Sequence, residues 1–318
     1  MVTNEIIKLS IVVCTYNRDK LLFNCLNSLI NQEAEPSNFE IIVIDNNSSD
    51  ETERIIKKIN EKYVELRYYK ETNQGLAYAR NRGWKEAKGE YIAFVDDDCK
   101  IPSNWISIAL DVIYKIAPPI VGGSYFAYYD SAKPHWYKDK YGSLDFGQEA
   151  RSLLLDEFPS GGNMIIRRAL LEILGGFNIN LGMKGKKIGY GEETDLIIRA
   201  RSALPKMIIY FDPRLFVYHL VPAKKMTLRW IIKSNFSSGR YGYLVIKSGG
   251  KNSFNDNRSK PLYQTLFISF VDLIKFIFAR DKIKYPYWEN YFSEDVSRYF
   301  RGLGNLYELI LIKVLHTN

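Results

Sequence analysis

Four short apolar runs in the first 100 residues, separated by helical stripes and polar clusters, constrain this 318-residue chain more than any other feature. Leu9–Val13, Glu40–Ile44, Leu66–Tyr69 and Tyr91–Val95 read as strands, and Tyr91–Val95 is apolar, β-branched and aromatic enough to be covered on both faces. Asp19–Ile30 places Leu22, Cys25, Leu26, Leu29 and Ile30 on one helical stripe, and Gly75–Ala87 reads as a helix that ends at Gly89. Asp50 is placed to cap a further helix, with Glu53 three residues on as in a capping box. Pro102 opens another. Repeated βα units predict an α/β fold with a doubly wound, mostly parallel sheet. In such sheets a ligand sits beyond the carboxyl ends of the strands. Thr15-Tyr16-Asn17-Arg18, Asp45 and Asp96-Asp97-Asp98 all fall at those ends.

Three adjacent carboxylates at a strand end repel one another unless protonation or a cation relieves them. A divalent cation that also holds a diphosphate is an economical solution, because Mg2+ takes one or two carboxylates plus phosphate oxygens. A solvated acidic loop is the plain alternative. Neither Gly-x-Gly-x-x-Gly nor a Walker A loop follows the first strand, which disfavours dinucleotide and P-loop sites. Cys14, Cys25 and Cys99 are too few and too scattered for a disulfide framework or a zinc site, and read as small buried hydrophobes. Met1–Lys8 lacks the apolar stretch of a signal peptide.

Further along, Tyr125–Phe158 is aromatic and irregular, and reads as a loop-rich insertion over the site. Order resumes with a strand at Asn163–Ile166 and helices at Arg168–Leu174 and Glu192–Ala203, the last with acids in its first turn as the helix dipole favours. Met207–Phe211 and Phe216–His219 read as strands. We place a boundary at residue 224. Residues 1–224 balance 29 basic against 29 acidic side chains, whereas 225–318 hold 15 basic and 7 acidic, so the net charge of +8 belongs to the second part. Leu262–Phe278 is apolar but broken by Asp272 and Lys275, too short and too charged for a membrane span. Flanked by Arg280, Lys282, Lys284, Tyr285, Tyr287 and Trp288, it suits a helix lying on an anionic membrane surface. An amphipathic helix packed on the main domain or in an oligomer contact is the alternative. No nucleic-acid-binding module is recognisable in the basic segment.

Five motifs, in order over residues 8–230, resemble the family 2 glycosyltransferases, which have the GT-A fold. The resemblance implies an inverting, metal-dependent enzyme. It would move a sugar from a nucleotide-diphosphate donor, UDP by preference, to a hydroxyl of a glycan or lipid-linked glycan. The basic, aromatic C-terminal segment adds the expectation of a cytoplasmic protein, peripheral on the inner face of the cell membrane. By similarity, Thr15 and Tyr16 contact the base or ribose, with Arg18 in the same donor cluster. Asp45 matches the aspartate that reads the base, with capping of the Asn46–Ser49 turn as the alternative. In Asn73–Asn81, Gly75 lets a phosphate approach a helix N-terminus, and Arg80 pairs with phosphate or with the aspartates. The triplet matches the DxD motif: Asp98 ligates Mn2+ or Mg2+, Asp96 contacts the ribose or the metal's water shell, and Asp97 is the variable position. Gly161, Gly162 and Asn163 match the segment facing donor sugar and acceptor. Gly189–Leu196 resembles the family's Glu-Asp motif: Glu193 stands where the family has its aspartate base, Glu192 is the alternative base, and Asp195 orients the loop. His219 sits where some GT-A enzymes have a third metal ligand, and a packed strand histidine is the alternative. Two rivals remain. A sugar nucleotidyltransferase would need a glycine-rich basic loop where Cys14–Arg18 stands, and a degenerate nucleotide- or glycan-binding scaffold is favoured only by Glu193 in place of aspartate.

Overall fold

The computed structural model describes residues 7–61, 63, 66–248 and 279–316. In chain order the strands are β1 (Leu9–Thr15), β2 (Phe39–Asp45), β3 (Leu66–Lys70), β4 (Tyr91–Asp96), β5 (Cys99–Lys100), β6 (Ile120–Gly122), β7 (Tyr125–Tyr128), β8 (Arg151–Ser152), β9 (Asn163–Arg167), β10 (Ile209–Phe211) and β11 (Val217–Leu220). The helices used below are α1 (Asp19–Ile30), α2 (Thr52–Asn60), α3 (Leu76–Glu86), α4 (Trp105–Lys115), α5 (Arg168–Leu174), α6 (Glu192–Ala203), α7 (Leu228–Ser248) and α8 (Arg298–His316).

The main sheet runs β3-β2-β1-β4-β9-β6-β10-β8. The first four strands are mutually parallel, β9 lies antiparallel between β4 and β6, and β10 runs parallel to β6. Both faces are covered. Ile11 and Val13 pack with Leu22 and Leu26 of α1, Ile56 of α2 and Ile106 of α4. On the other side Val12, Ile42 and Ile44 pack with Ala77 and Trp84 of α3, Leu171 of α5 and Ile197 of α6. Strand residues point alternately to the two faces, so strands buried on both must be apolar throughout. That is why β1, β2 and β4 read so clearly, whereas β3, Leu-Arg-Tyr-Tyr-Lys at the sheet edge, is only part-buried; the mostly parallel α/β sheet expected from the runs is the one that forms.

Two local expectations are corrected. Tyr125–Tyr128 is no loop: it is β7, paired parallel with β11, which pairs in turn with β5 to make a second, three-stranded sheet. Its partner is about ninety residues away, beyond the reach of local periodicity. The capping box at Asp50 does not form either. Asp50 accepts from Thr52 N and Thr52 Oγ1, while Glu53 accepts from Lys57 one turn on.

The chain divides into two compact units. One comprises Met1–Tyr128, Gly142–Asn180 and Leu196–Leu220, and the other Tyr129–Tyr141, Leu181–Asp195 and everything from Val221 on. The sequence boundary at 224 is a single cut, whereas the second unit also takes in two earlier segments. Within that unit α7 and α8 touch backbone to backbone: a Cβ on Gly239 would lie 1.8 Å from Arg301 O, and one on Gly304 1.9 Å from Phe236 O. Tyr285, Tyr291, Phe292 and Val296 form a separate small core with Leu228 and Ile231. Leu262–Phe278, the segment assigned to a membrane surface, lies outside the described residues. Among the described residues no helix is long and apolar enough to cross a membrane.

Candidate active site

The rim of the first unit is built from the ends of β1 and β4, which are hydrogen-bonded neighbours. That pairing brings Thr15-Tyr16-Asn17-Arg18 beside the aspartate triplet. Thr15 Oγ1 donates to Asp97 Oδ2 at 2.7 Å, and Arg18 Nη1 reaches Asp97 Oδ1 at 2.7 Å and Asp98 Oδ2 at 2.9 Å. The triplet is therefore neutralised in part by the chain itself. Asp97 is buried, and burial raises its carboxyl to about 6, with Arg18 pulling the other way and Asp98 adding to the rise. Arg18 is pushed up in turn, first by Asp97. Thr15 and Arg18, expected at the donor, thus hold the acidic rim in this structure. Tyr16 is half-buried beside them.

Asp96 is reached from three sides. Arg80, only 4% exposed, lies 3.7 Å from Asp96 Oδ1 and sits over the rings of Phe94 and Phe177. Tyr125 donates its hydroxyl to Asp96 Oδ2 at 3.0 Å. The paired glycines close the third side: a Cβ on Gly161 would lie 2.8 Å from Arg80 Nη2, and one on Gly162 would lie 2.2 Å from Asp96 Oδ2. A side chain at either position would force Arg80 or Asp96 to shift, which gives the Gly161-Gly162 motif a physical reason.

His219 lies across the rim from β4. Its ring stacks on Tyr125, centroids 4.4 Å apart, and its Nε2 is 3.5 Å from Asp98 Oδ1. Ligand-type atoms of Asp96, Asp98 and His219 all fall within 4.8 Å of one another. Asp98 Oδ1 is buried and accepts no hydrogen bond among the described residues. A buried carboxylate oxygen in that state carries a large desolvation cost, which a cation offsets. The two carboxylates fit Mn2+ or Mg2+, and an imidazole beside them suits Mn2+ of the two. Tyr125, which orders two of the three, was not singled out as a site residue from sequence. The available signal was its place at the start of the aromatic Tyr125–Phe158 stretch, which does not reveal its partner.

Other expected contacts are engaged inside the fold. Asp45 accepts from Ser48 N at 2.8 Å and from Tyr68 Oη at 3.0 Å, the turn-capping arrangement. Gly75 takes φ +149° at the start of α3, and its N–H donates to Asn46 Oδ1 at 2.7 Å. The Asn46 amide also donates to Glu71 O and Asn73 O, so one buried side chain fixes the loop before α3. Asn163 is 1% exposed, donating to Ser124 O and Leu215 O and accepting from Trp105 Nε1.

Glu192, Glu193 and Asp195 belong to the second unit and start α6. Glu192 is buried, with Gly182 so close that a Cβ there would lie 2.9 Å from its carboxylate, while Glu193 is half-buried. Asp195 is buried, and its N–H donates to Gly191 O at 2.8 Å.

A doubly wound, mostly parallel sheet with an acidic, metal-type cluster at its carboxyl rim is the architecture of a GT-A glycosyltransferase. The pattern described as Glycosyl transferase family 2 matches residues 10–175, over half of the chain, and the chain belongs to that family. It is 27% identical over 241 residues to the succinoglycan biosynthesis protein ExoM of Rhizobium meliloti (strain 1021), covering 74% of each chain. It is 24% identical over 278 residues to a glucosyl-dolichyl phosphate glucuronosyltransferase of Haloferax volcanii, covering 84% of this chain and 86% of that one. Among solved structures, its fold is similar to the mannosyltransferase PcManGT of Pyrobaculum calidifontis in complex with GDP-Man and Mn2+. That match has a TM-score of 0.64 at 17% identity and covers 95% of this chain and 87% of the other. It is also similar to residues 1–349 of S. aureus TarS in complex with UDP, at a TM-score of 0.54 and 19% identity, covering 98% and 92%.

Proposed function

We propose that this glycosyltransferase is inverting and metal-dependent, and that it moves a sugar from a UDP-linked donor to a hydroxyl of a glycan or lipid-linked glycan. The observation that carries the reading is the cluster of Asp96, Asp98 and His219 around the buried Asp98 Oδ1. It stands at the carboxyl end of β4, where a doubly wound sheet receives its ligand. Asp98, Asp96 and His219 would hold Mn2+ or Mg2+, which when bound supplies positive charge against a departing diphosphate. Arg80, seated beside Asp96, adds fixed positive charge on the same side. Tyr16 contributes a ring toward the base or ribose, and Asp45 reads the base through lone pairs left over after turn capping. Gly161 and Gly162 line the close approach to Asp96.

Glu193 is the general base. It takes the proton of the acceptor hydroxyl as that oxygen bonds to the anomeric carbon, and the bond to the diphosphate oxygen breaks on the opposite face. Glu193 as a residue is half-buried, whereas Glu192 is buried and packed against Gly182. General-base help of this kind is worth about 10²–10⁴-fold. The relatives support the acceptor class: one is named as a glucuronosyltransferase acting on glucosyl-dolichyl phosphate, and another, of Campylobacter jejuni, as a glucosyltransferase acting on an undecaprenol diphosphate-linked glycan. A peripheral, cytoplasmic-face location fits such an acceptor. The loop before the small core supports it, with Ile283 94% exposed between Lys282 and Lys284, and with Tyr287 and Trp288 also exposed.

The test is donor turnover with Mn2+ across UDP-, dTDP- and GDP-sugars and a lipid-linked acceptor, with the product's anomeric configuration read by NMR. Inverted product from a UDP-sugar is expected. A retained configuration would reject the mechanism, and turnover only with GDP-sugars would reject the nucleotide.

A further inference from the structure

The four residues that lead into the Glu192-Glu193 pair each meet the same face of α7. Ser237 Oγ donates to Ile188 O at 2.9 Å. Tyr190 Oη and Ser234 Oγ share a hydrogen bond of 2.7 Å. A Cβ on Gly189 would lie 3.0 Å from Tyr241 Oη and 1.9 Å from Gly182 O. Gly191 takes φ +95°, and a Cβ there would lie 2.7 Å from Val245 Cγ2. Ser234, Ser237, Tyr241 and Val245 are spaced three or four apart, so they form one stripe along the helix. The other side of α7 is fixed by α8, through the backbone crossings at Gly239 and Gly304 and the ion pair of Arg240 with Glu308 at 2.7 Å.

We infer that α7 is the positioning element for the Glu192-Glu193 carboxylates: its Ser234–Val245 stripe sets the loop 188–191 and thereby where Glu193 stands. This rests on the reading of Glu193 as the base. A surface loop has many backbone states, and glycines widen that choice. Two hydroxyl contacts and two steric walls remove it. A base displaced by about 1 Å loses on the order of 100-fold in rate, so a helix that fixes the loop acts on turnover without touching substrate. The basic C-terminal part of the chain, which sequence reading gave to a membrane surface or an oligomer contact, thereby gains a role in the transfer step.

The test uses the full chain with the double substitution Tyr190→Phe and Ser237→Ala, next to Glu193→Gln. UDP and Mn2+ binding are measured by calorimetry, melting by circular dichroism, and kcat and KM with a UDP-sugar. The expected result is a fall in kcat on the order of 10- to 100-fold, with UDP and Mn2+ affinities within about twofold of wild type. Should the double variant melt early, Ser237→Ala alone is read by the same split. Unchanged kcat in the loop variants beside an inactive Glu193→Gln would overturn the inference and leave the base assignment standing. A parallel loss of kcat and UDP binding would also overturn it, since general damage explains that pattern. Full turnover in Glu193→Gln would remove the base assignment, and the inference with it.

Discussion

The two acidic centres of this chain are held in opposite ways. At the β4 rim, Asp96, Asp97 and Asp98 sit among charges and hydrogen-bond donors: Arg18, Arg80, Thr15, Tyr125 and His219. Ahead of α6, the loop leading to Glu192 and Glu193 is held by hydroxyls and by glycines pressed against backbone and side chains. The first arrangement concentrates negative charge and compensates it, which suits a site that exchanges protein cations for a metal and a diphosphate. The second, on the proposed reading, fixes where a carboxylate stands while leaving its charge to act on a proton. Charge does the work in one centre and shape in the other.

Substitutions separate the two. The largest effect expected is from Glu193→Gln, which lowers kcat about 10²–10⁴-fold while UDP affinity holds; a variant that turned over normally would put the base elsewhere. Next comes the rim. Tyr125→Phe keeps the ring on His219 but removes the hydroxyl from Asp96, and Mn2+ affinity measured by EPR should drop about 10-fold. Tyr125→Leu, which removes both contacts, should weaken Mn2+ further, and equal affinities in the two variants would argue that stacking on His219 contributes nothing. Gly162→Ala places a methyl against Asp96 Oδ2, so it should cost Mn2+ affinity on a similar scale, roughly 10-fold; unchanged affinity would mean Asp96 does not ligate.

The smallest effect lies away from both centres. Burial acts to raise Glu294, but hydrogen bonds from Lys138, Tyr141 and Lys140 outweigh it and bring its carboxyl down to about 2 from an ordinary 4.5. A depressed carboxylate stabilises the fold above its unfolded value, and that contribution fades as pH falls toward the folded one. Glu294→Gln should therefore lower stability at pH 7 by roughly 1 kcal/mol. In urea melts the gap to wild type should narrow below about pH 4.5. A gap independent of pH would show that these pairings add nothing.

Where strands are buried on both faces, composition alone marks them, and so β1, β2 and β4 and the acidic rim at their ends were legible from the chain. The partners of the site residues were not. Thr15, Asp45 and Asn163 have the right chemistry for ligand contacts, yet each is hydrogen-bonded within the fold, because residue type specifies what can bond but not to what. Tyr125 was missed for the same reason. Its contacts are with Asp96, 29 residues before it, and with His219 on a strand paired to its own, and no local period records either. Gly189 and Gly191 were visible, but the helix they press against lies some fifty residues on, in a segment whose charge pointed to a different role.

On the proposed reading the β4 rim binds a nucleoside diphosphate through a metal held by Asp98, Asp96 and His219. Calorimetric titration of wild type and Asp98→Asn with UDP, with Mn2+ and again with EDTA, tests it most directly. UDP binding is expected to require Mn2+ in wild type and to be lost in Asp98→Asn. UDP binding of equal strength with EDTA, or undiminished in Asp98→Asn, would contradict it.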